Sequence, residues 1–111
     1  MEESLKGWKR TLYCGQAGEE QIGRTHTFMG WVQKQRNKGS LIFIDLRDRT
    51  GLVQAVLSQE ETPAAVFEKA ASVRSEYVLA IRGQVAAREG AVNDKLSTGK
   101  VEIKVQDLKI L

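Results

Sequence analysis

A chain of 111 residues with 41% hydrophobic residues can form one small domain with a modest core, and it is too short for two. Its 17 Lys and Arg against 14 Asp and Glu give a net charge of +3, which permits a polyanionic partner without requiring one. A single cysteine, Cys14, excludes an internal disulfide, and the chain has neither a signal peptide nor a long apolar stretch, so we expect a soluble, cytoplasmic protein.

The first 24 residues are mixed in composition and punctuated by glycine, which predicts a loose N-terminal segment with one short helix. Residues 25–36 then alternate as a long strand does, with Phe28, Gly30 and Val32 on one face. The turn Arg36–Ser40 leads to a second strand over 41–47.

The second strand has an informative alternation, because Ile42, Ile44 and Leu46 share one face, the natural core face. Its other face carries four residues: Leu41, Phe43, Asp45 and Arg47. A turn over 48–51 leads to a third strand over 52–57. One face of this strand carries Val53, Ala55 and Leu57, and the other face carries Leu52, Gln54 and Val56.

A helix follows the third strand, with Thr62 predicted at the N-cap and Pro63 at the first helical position. Apolar residues then recur at helical spacing from Val66. Strands are predicted again over 77–88 and 101–105, with a loop over 90–99 between them.

This order predicts an all-β fold, a five-stranded OB-fold Greek-key barrel over residues 25–111, with a helix between strands three and four and the N-terminal segment 1–24 in front. A small sandwich is the alternative, but the single helix and the long first strand favour the OB fold. In OB folds the face of strands two and three commonly binds oligonucleotides.

Two residues on that face are candidates for contact with nucleic-acid bases. Phe43 is predicted to point outward, where an aromatic ring can stack on a base; alternatively it covers an end of the barrel or packs under the N-terminal segment. Gln54 lies on the matching face of strand three and carries donors and acceptors that can read a base edge; alternatively it is an ordinary solvated side chain.

Charged candidates lie beside this face. Lys34, Arg36 and Lys38 place three positive charges at one strand end and turn, which suits phosphate contact. By themselves Arg88 and Glu102 indicate only an ordinary surface pair. No arrangement of residues predicts a catalytic, cofactor or metal site in this chain.

The run from Ser40 to Gln54, which reads SLIFIDLRDRTGLVQ, closely resembles bacterial aspartyl-tRNA synthetases. Further landmarks stand in the order of that family and cover the chain from about Tyr13 to its end: Tyr13-Cys14-Gly15, Ile22-Gly23, Gly30-Trp31-Val32, Arg74-Ser75-Glu76-Tyr77-Val78 and Thr98-Gly99-Lys100-Val101-Glu102. The resemblance implies the N-terminal anticodon-binding domain of such an enzyme, which is an OB barrel.

The resemblance also implies roles for individual residues. Phe43 would stack on the central uracil of the aspartate anticodon, and Arg36 and Gln54 would contact anticodon bases or nearby phosphates. Arg88 would help read the third anticodon base, and Glu102 would contact the first, a guanine or its queuine derivative. A carboxylate can accept the N1–H and N2–H₂ groups of guanine.

The parent enzyme implied by the resemblance is an aspartate–tRNA ligase that uses ATP and magnesium in a separate class II catalytic domain and forms a homodimer through it. The partner is the anticodon stem-loop of tRNA(Asp). The family often has arginines where this chain has Lys34, Gln35 and Ala86, and their replacement weakens contacts to phosphates or to the third anticodon base. The resemblance therefore leaves tRNA(Asn) open as a second partner. Other interpretations are a lysyl or asparaginyl synthetase domain, a free-standing single-strand-binding OB protein, or a purely structural interaction domain.

Overall fold

The computed structural model describes residues 7–90, 92, 96 and 98–111. Five strands form a closed barrel in the order β1-β2-β3-β5-β4. The strands are β1 Thr25–Asn37, β2 Leu41–Asp48, β3 Gly51–Ser58, β4 Val78–Ala87 and β5 Val101–Ile110, and the helix α1 Ala64–Ala71 lies between β3 and β4. The predicted five-stranded OB barrel with its helix in this position is confirmed.

The barrel interior is filled by the residues that the period-two alternation assigned to the core face. On β2, Ile42, Ile44 and Leu46 are at most 1% exposed, and on β3 the inward residues are equally buried. Because successive side chains point to opposite faces of a strand, the intervening residues of β2 and β3 must lie on the outer wall. The helix adds Val66 and Ala70 to the same core.

The segment before β1 packs tightly on the barrel through Cys14. This residue begins the first of two short 3₁₀ helices, Cys14–Gln16 and Glu19–Gln21, where the sequence predicted one short helix. Its side chain is fully buried, and its N–H donates to Asp48 Oδ2 at 2.8 Å. The neighbouring Gly15 N–H donates to Thr50 Oγ1 at 2.8 Å, and a Cβ on Gly15 would lie 2.3 Å from the Thr50 carbonyl oxygen. A side chain at position 15 would therefore push the segment off the turn that follows β2.

Two sequence predictions about element ends were wrong. The helix N-cap is Pro63, whose ψ of 137° is not helical, and Thr62 instead accepts a hydrogen bond from the Ser58 N–H at 2.9 Å. β5 continues to Ile110, five residues beyond its predicted end, because its pairing with β4 shifts register between Arg82 and Gly83. That bulge interrupts the alternation after Val105, where the sequence pattern stopped.

The predicted loop over 90–99 and the predicted segment 1–24 both include residues outside the described part of the chain. Within the described residues, no helix is long and apolar enough to cross a membrane.

Candidate nucleic-acid interface

The outer faces of β2 and β3 line an open groove with a volume of about 1050 Å³. Six of the seven candidate residues line this groove: Arg36, Lys38, Phe43, Gln54, Arg88 and Glu102. The exception is Lys34, which is exposed on β1 outside it. Strand pairing thus brings together residues that are up to 66 positions apart in the chain, from Arg36 to Glu102.

Phe43 lies in the groove between Arg36 on β1 and Val56 on β3, its two register partners. Its side chain is half-buried, whereas the neighbouring Ile42 and Ile44 are fully buried in the core. The Arg36 guanidinium carbon lies 5.6 Å from the centroid of the Phe43 ring. The ring is therefore on the outer wall, as the alternation predicts, and it is supported on one side by a cation.

Arg36 is held in place by two neighbours. Its Nη1 and Nη2 donate to Asp45 Oδ2 and Oδ1 at 3.0 and 3.2 Å, a two-pronged pairing that fixes the guanidinium plane. Nη2 also donates to Gln54 Oε1 at 3.1 Å. Sequence reasoning placed Asp45 on the outer face of β2 but missed this role, because its partner Arg36 lies on another strand.

Gln54 is less accessible than a residue on an open sheet face, with only 9% of its surface exposed. While its oxygen accepts from Arg36, its Nε2 donates to Glu102 Oε1 at 3.2 Å. The interpretation of Gln54 as a freely solvated side chain was therefore wrong. Four strands contribute to one polar network, which we call the groove network: Asp45, Arg36, Gln54 and Glu102.

Glu102 ends the groove network and is 4% exposed. Burial, assisted by the nearby Glu89 carboxylate, raises the pKa of Glu102 and outweighs the lowering effect of the Gln54 hydrogen bond. Arg88 forms no ion pair with it within the described residues; its Nε donates to the Val101 carbonyl oxygen at 3.3 Å. The interpretation of Arg88 and Glu102 as an ordinary surface pair was thus wrong, because Glu102 on β5 is nearly buried in the wall of the groove.

The groove has a further charged pair that the sequence analysis did not single out. Lys104 Nζ lies 2.9 Å from Glu89 Oε2, and both residues line the groove. Alternation on β5 could have found Lys104, because it lies two residues after Glu102 on the same face. In contrast, Lys34 and Lys38 are exposed and have no ion-pair partner in the described part of the chain.

These features are the ones by which OB domains hold single-stranded nucleic acid: an aromatic platform, adjoining polar groups and cations at the rim. A family model described as tRNA anti-codon, OB-fold nucleic acid binding domain, matches residues 26–111. The chain belongs to this tRNA anti-codon family.

Similar proteins agree with this membership. An aspartate–tRNA ligase of Clostridium tetani is 56% identical over 111 residues, which are all of this chain and 18% of that protein. An aspartate–tRNA(Asp/Asn) ligase of Lachnoclostridium phytofermentans is 48% identical, again over the whole chain and 19% of its own length. The chain thus spans less than a fifth of the length of these curated relatives.

A solved structure supports the same fold for the tRNA anti-codon domain. The asparaginyl-tRNA synthetase from Pyrococcus horikoshii superposes with a TM-score of 0.76 and 30% sequence identity. The match covers 90% of this chain and 22% of the synthetase.

Proposed function

We propose that this chain is the anticodon-binding domain of an aspartate–tRNA ligase and that its groove holds the anticodon loop. The observation that carries the proposal is the Phe43 ring on the outer wall of β2, beside a polar network that is already hydrogen-bonded. Relatives that are 48–56% identical and bear the name of aspartate–tRNA ligases support the choice of enzyme.

The groove network suits the reading of bases in an unpaired loop. Phe43 stacks on the central uracil, and Gln54 and Arg36 contact bases or nearby phosphates. Glu102 accepts hydrogen bonds from the first anticodon base, a guanine or queuine, and Arg88 helps read the third. Because Gln54 and Glu102 are nearly buried and already hydrogen-bonded to each other, a base that displaces this bond without replacing it incurs a penalty of about 1–3 kcal/mol for each group left unpaired.

Lys34 and Lys38 contact phosphates at the edge of the groove, since both are exposed and carry no carboxylate partner among the described residues. The partner is the anticodon stem-loop of tRNA(Asp), and the name of the Lachnoclostridium relative keeps tRNA(Asn) open as a second partner. In this proposal residues 1–24 are an N-terminal segment and residues 25–111 the anticodon-binding domain.

The proposal assigns the chemistry to the parent protein and not to this chain. The parent is a cytoplasmic ligase that uses ATP and magnesium to activate aspartate, and it forms a homodimer through its catalytic domain. The length of the relatives, of which this chain spans less than a fifth, leaves room for that domain.

The test of the proposal is the substitution Phe43→Ala in this chain, with binding measured to anticodon stem-loops. We expect Phe43→Ala to weaken binding by about 1–3 kcal/mol because a stacked base loses its platform. The free energy of unfolding should fall by only about 1 kcal/mol, because the ring is half-buried on the outer wall, against about 3–5 kcal/mol for a Phe in the core. Phe43→Leu keeps apolar bulk without a π face, and we expect it to bind almost as weakly as the alanine variant.

Tyr77→Ala is the matched control, because Tyr77 is 40% exposed and does not line the groove. A second comparison uses wild-type chain and stem-loops that differ only in the central or the third anticodon base. Equal affinity for all stem-loops, or a Phe43→Ala variant that loses stability without losing affinity, would refute the anticodon-reading role.

A further inference from the structure

Away from the groove, two arginines from distant parts of the chain lie over a single tyrosine ring. The guanidinium carbons of Arg10 and Arg49 are 4.7 and 5.0 Å from the centroid of Tyr13. Arg49 Nη2 also donates to the Tyr13 hydroxyl at 3.1 Å. We call these three residues the arginine clamp.

The arginine clamp has no internal counter-charge within the described residues. Both arginines are exposed, and the one hydrogen bond from Arg10 is a long contact of 3.4 Å to the Met29 carbonyl oxygen. The acidic neighbour of Arg49, Asp48, is buried and accepts from Cys14 N–H and Thr50 N–H at 2.8 Å. Two exposed cations on one aromatic ring, without a carboxylate partner among the described residues, favour the arrival of a negatively charged ligand.

The backbone around the arginine clamp is fixed before any ligand arrives. The hydrogen bonds from Cys14 and Gly15 to Asp48 and Thr50 attach the N-terminal segment to the turn after β2. Tyr13 and Arg49 stand next to these attachment points, and the tyrosine ring limits the orientations of both guanidinium groups. Fixed guanidinium forks match the geometry of phosphate, and their preorganisation lowers the entropic cost of binding it.

The position of the arginine clamp relates it to the groove. Phe43, Asp45 and Arg47 share the outer face of β2, and Arg49 follows Arg47 just past the end of the strand. At about 3.3 Å per residue, Arg47 lies roughly 13 Å from Phe43 along that strand. An RNA that leaves the groove past Phe43 in this direction therefore runs toward Arg47 and the arginine clamp.

We propose that Arg10 and Arg49 bind a backbone phosphate of the RNA outside the anticodon loop, in the stem that continues from it. This inference rests on the proposed function of the groove and extends the interface beyond it. The ligand is a phosphodiester group, recognised by charge and by the guanidinium forks without reference to base identity.

The experiment compares two RNAs that share the anticodon loop: a hairpin with its stem, and the loop sequence alone as a single strand. We expect Arg49→Gln to weaken hairpin binding about tenfold, because a charge-assisted contact to phosphate is lost. The slope of log affinity against log salt should become shallower by about 0.7–0.9 for the hairpin. Affinity for the single strand should not change.

Three further variants distinguish phosphate binding by the arginine clamp from a purely structural role of its residues. Arg10→Gln should reproduce the effect of Arg49→Gln, and Arg49→Lys, which keeps the charge, should restore part of the hairpin affinity. Arg24→Gln, a change of the same charge at an exposed position, should bind both RNAs as wild type does. Thermal melts establish for each variant how much of the chain is folded.

The outcomes are distinct from those that bear on the groove. If Arg49→Gln lowers the melting temperature but leaves hairpin affinity unchanged, or weakens both RNAs equally, the phosphate site is refuted. If Phe43→Ala leaves both RNAs bound while Arg49→Gln weakens the hairpin, the groove assignment fails and the phosphate site stands.

Discussion

At the scale of single residues, the side chains of the groove differ in how strongly the protein already holds them. The Arg36 guanidinium already donates hydrogen bonds to Asp45 and Gln54, and the Asp45 carboxylate largely compensates its charge before RNA arrives. Glu102 is nearly buried, and burial raises its pKa, so ionising this carboxyl costs more free energy than ionising one in water. A titratable group whose pKa is perturbed by burial and that lines a groove is a candidate for specific recognition.

The variant Glu102→Gln tests the free-energy cost of ionising the nearly buried carboxyl, through the free energy of unfolding measured at several pH values. Because the folded-state pKa of Glu102 is raised, the folded chain takes up a proton at a higher pH than the unfolded chain, whose ordinary value is 4.5. As the pH falls from neutral toward 4.5, Glu102 therefore adds to the free energy of unfolding, and Gln at this position cannot. We expect wild type to gain stability relative to the variant over this window in urea melts.

The same variant has an expected effect on binding at neutral pH. The glutamine amide keeps one acceptor but brings a donor where guanine also presents donors, so discrimination for a first-position guanine should fall by about tenfold or more. A stability difference that stays constant from pH 7 to 4.5, together with unchanged discrimination, would contradict both the raised pKa and the assigned contact.

At the scale of elements, the N-terminal segment and the β2–β3 turn behave as one unit. Asp48 is 7% exposed and lies under the segment, where it accepts from Cys14 and Thr50. Burial alone would raise its pKa, but the hydrogen bonds from Thr50 and Cys14 outweigh burial and lower the pKa below its ordinary value of 3.8. Asp48 thus stabilises the folded chain at neutral pH.

Asp48→Asn should remove that stabilisation. The amide has one acceptor oxygen where the carboxylate has two, so one of the backbone donors of Cys14 or Thr50 is left unpaired. We expect a loss of about 1–3 kcal/mol in the free energy of unfolding at neutral pH. Because the folded-state pKa is lowered, this loss should begin to shrink as the pH falls below 3.8, where the unfolded carboxylate takes up a proton before the folded one does.

Glu68→Gln serves as the control for this change, since Glu68 is exposed on the helix and its substitution should shift stability by no more than about 0.5 kcal/mol. Hydrogen exchange of the Cys14 amide reports the local effect and should accelerate in Asp48→Asn. An unchanged exchange rate in that variant would show that Asp48 does not hold the segment.

At the scale of the whole molecule, the net charge of +3 gives little general attraction for RNA, so the placement of charge matters more than its total. Of the three cations predicted to contact phosphate, Arg36 is ion-paired with Asp45 at 3.0 Å. Lys34 and Lys38 are the two of these three that carry no ion pair within the described residues. They are therefore the ones expected to release counterions from the RNA.

Binding of the single-stranded anticodon loop should accordingly show a slope of log affinity against log salt near −1.4, about −0.7 for each of two contacts. Lys38→Gln should bring the slope to about −0.7. Arg74→Gln, an exposed change of equal charge away from the groove, should leave it unaltered. A slope that is insensitive to Lys38→Gln would remove Lys38 from the interface.

The sequence alone determined the strands, their buried faces and the outward orientation of Phe43. These features follow from local rules, because side chains alternate with a period of two along a strand and glycine-rich turns interrupt that period. The resemblance to aspartyl-tRNA synthetases, carried mainly by Ser40–Gln54, indicated the family before any contact was known. The alternation predicted β5 only as far as Val105, because the bulge in β5 ends the simple period of two there.

Only the tertiary structure decided which polar groups meet. Arg36 and Asp45 pair because β1 and β2 align in one register, and Gln54 reaches Glu102 because β5 closes the barrel beside β3. The arginine clamp likewise depends on how the N-terminal segment packs against the turn after β2. Contacts of this kind join residues far apart in the chain, and their geometry depends on barrel closure and register, which no local periodicity encodes.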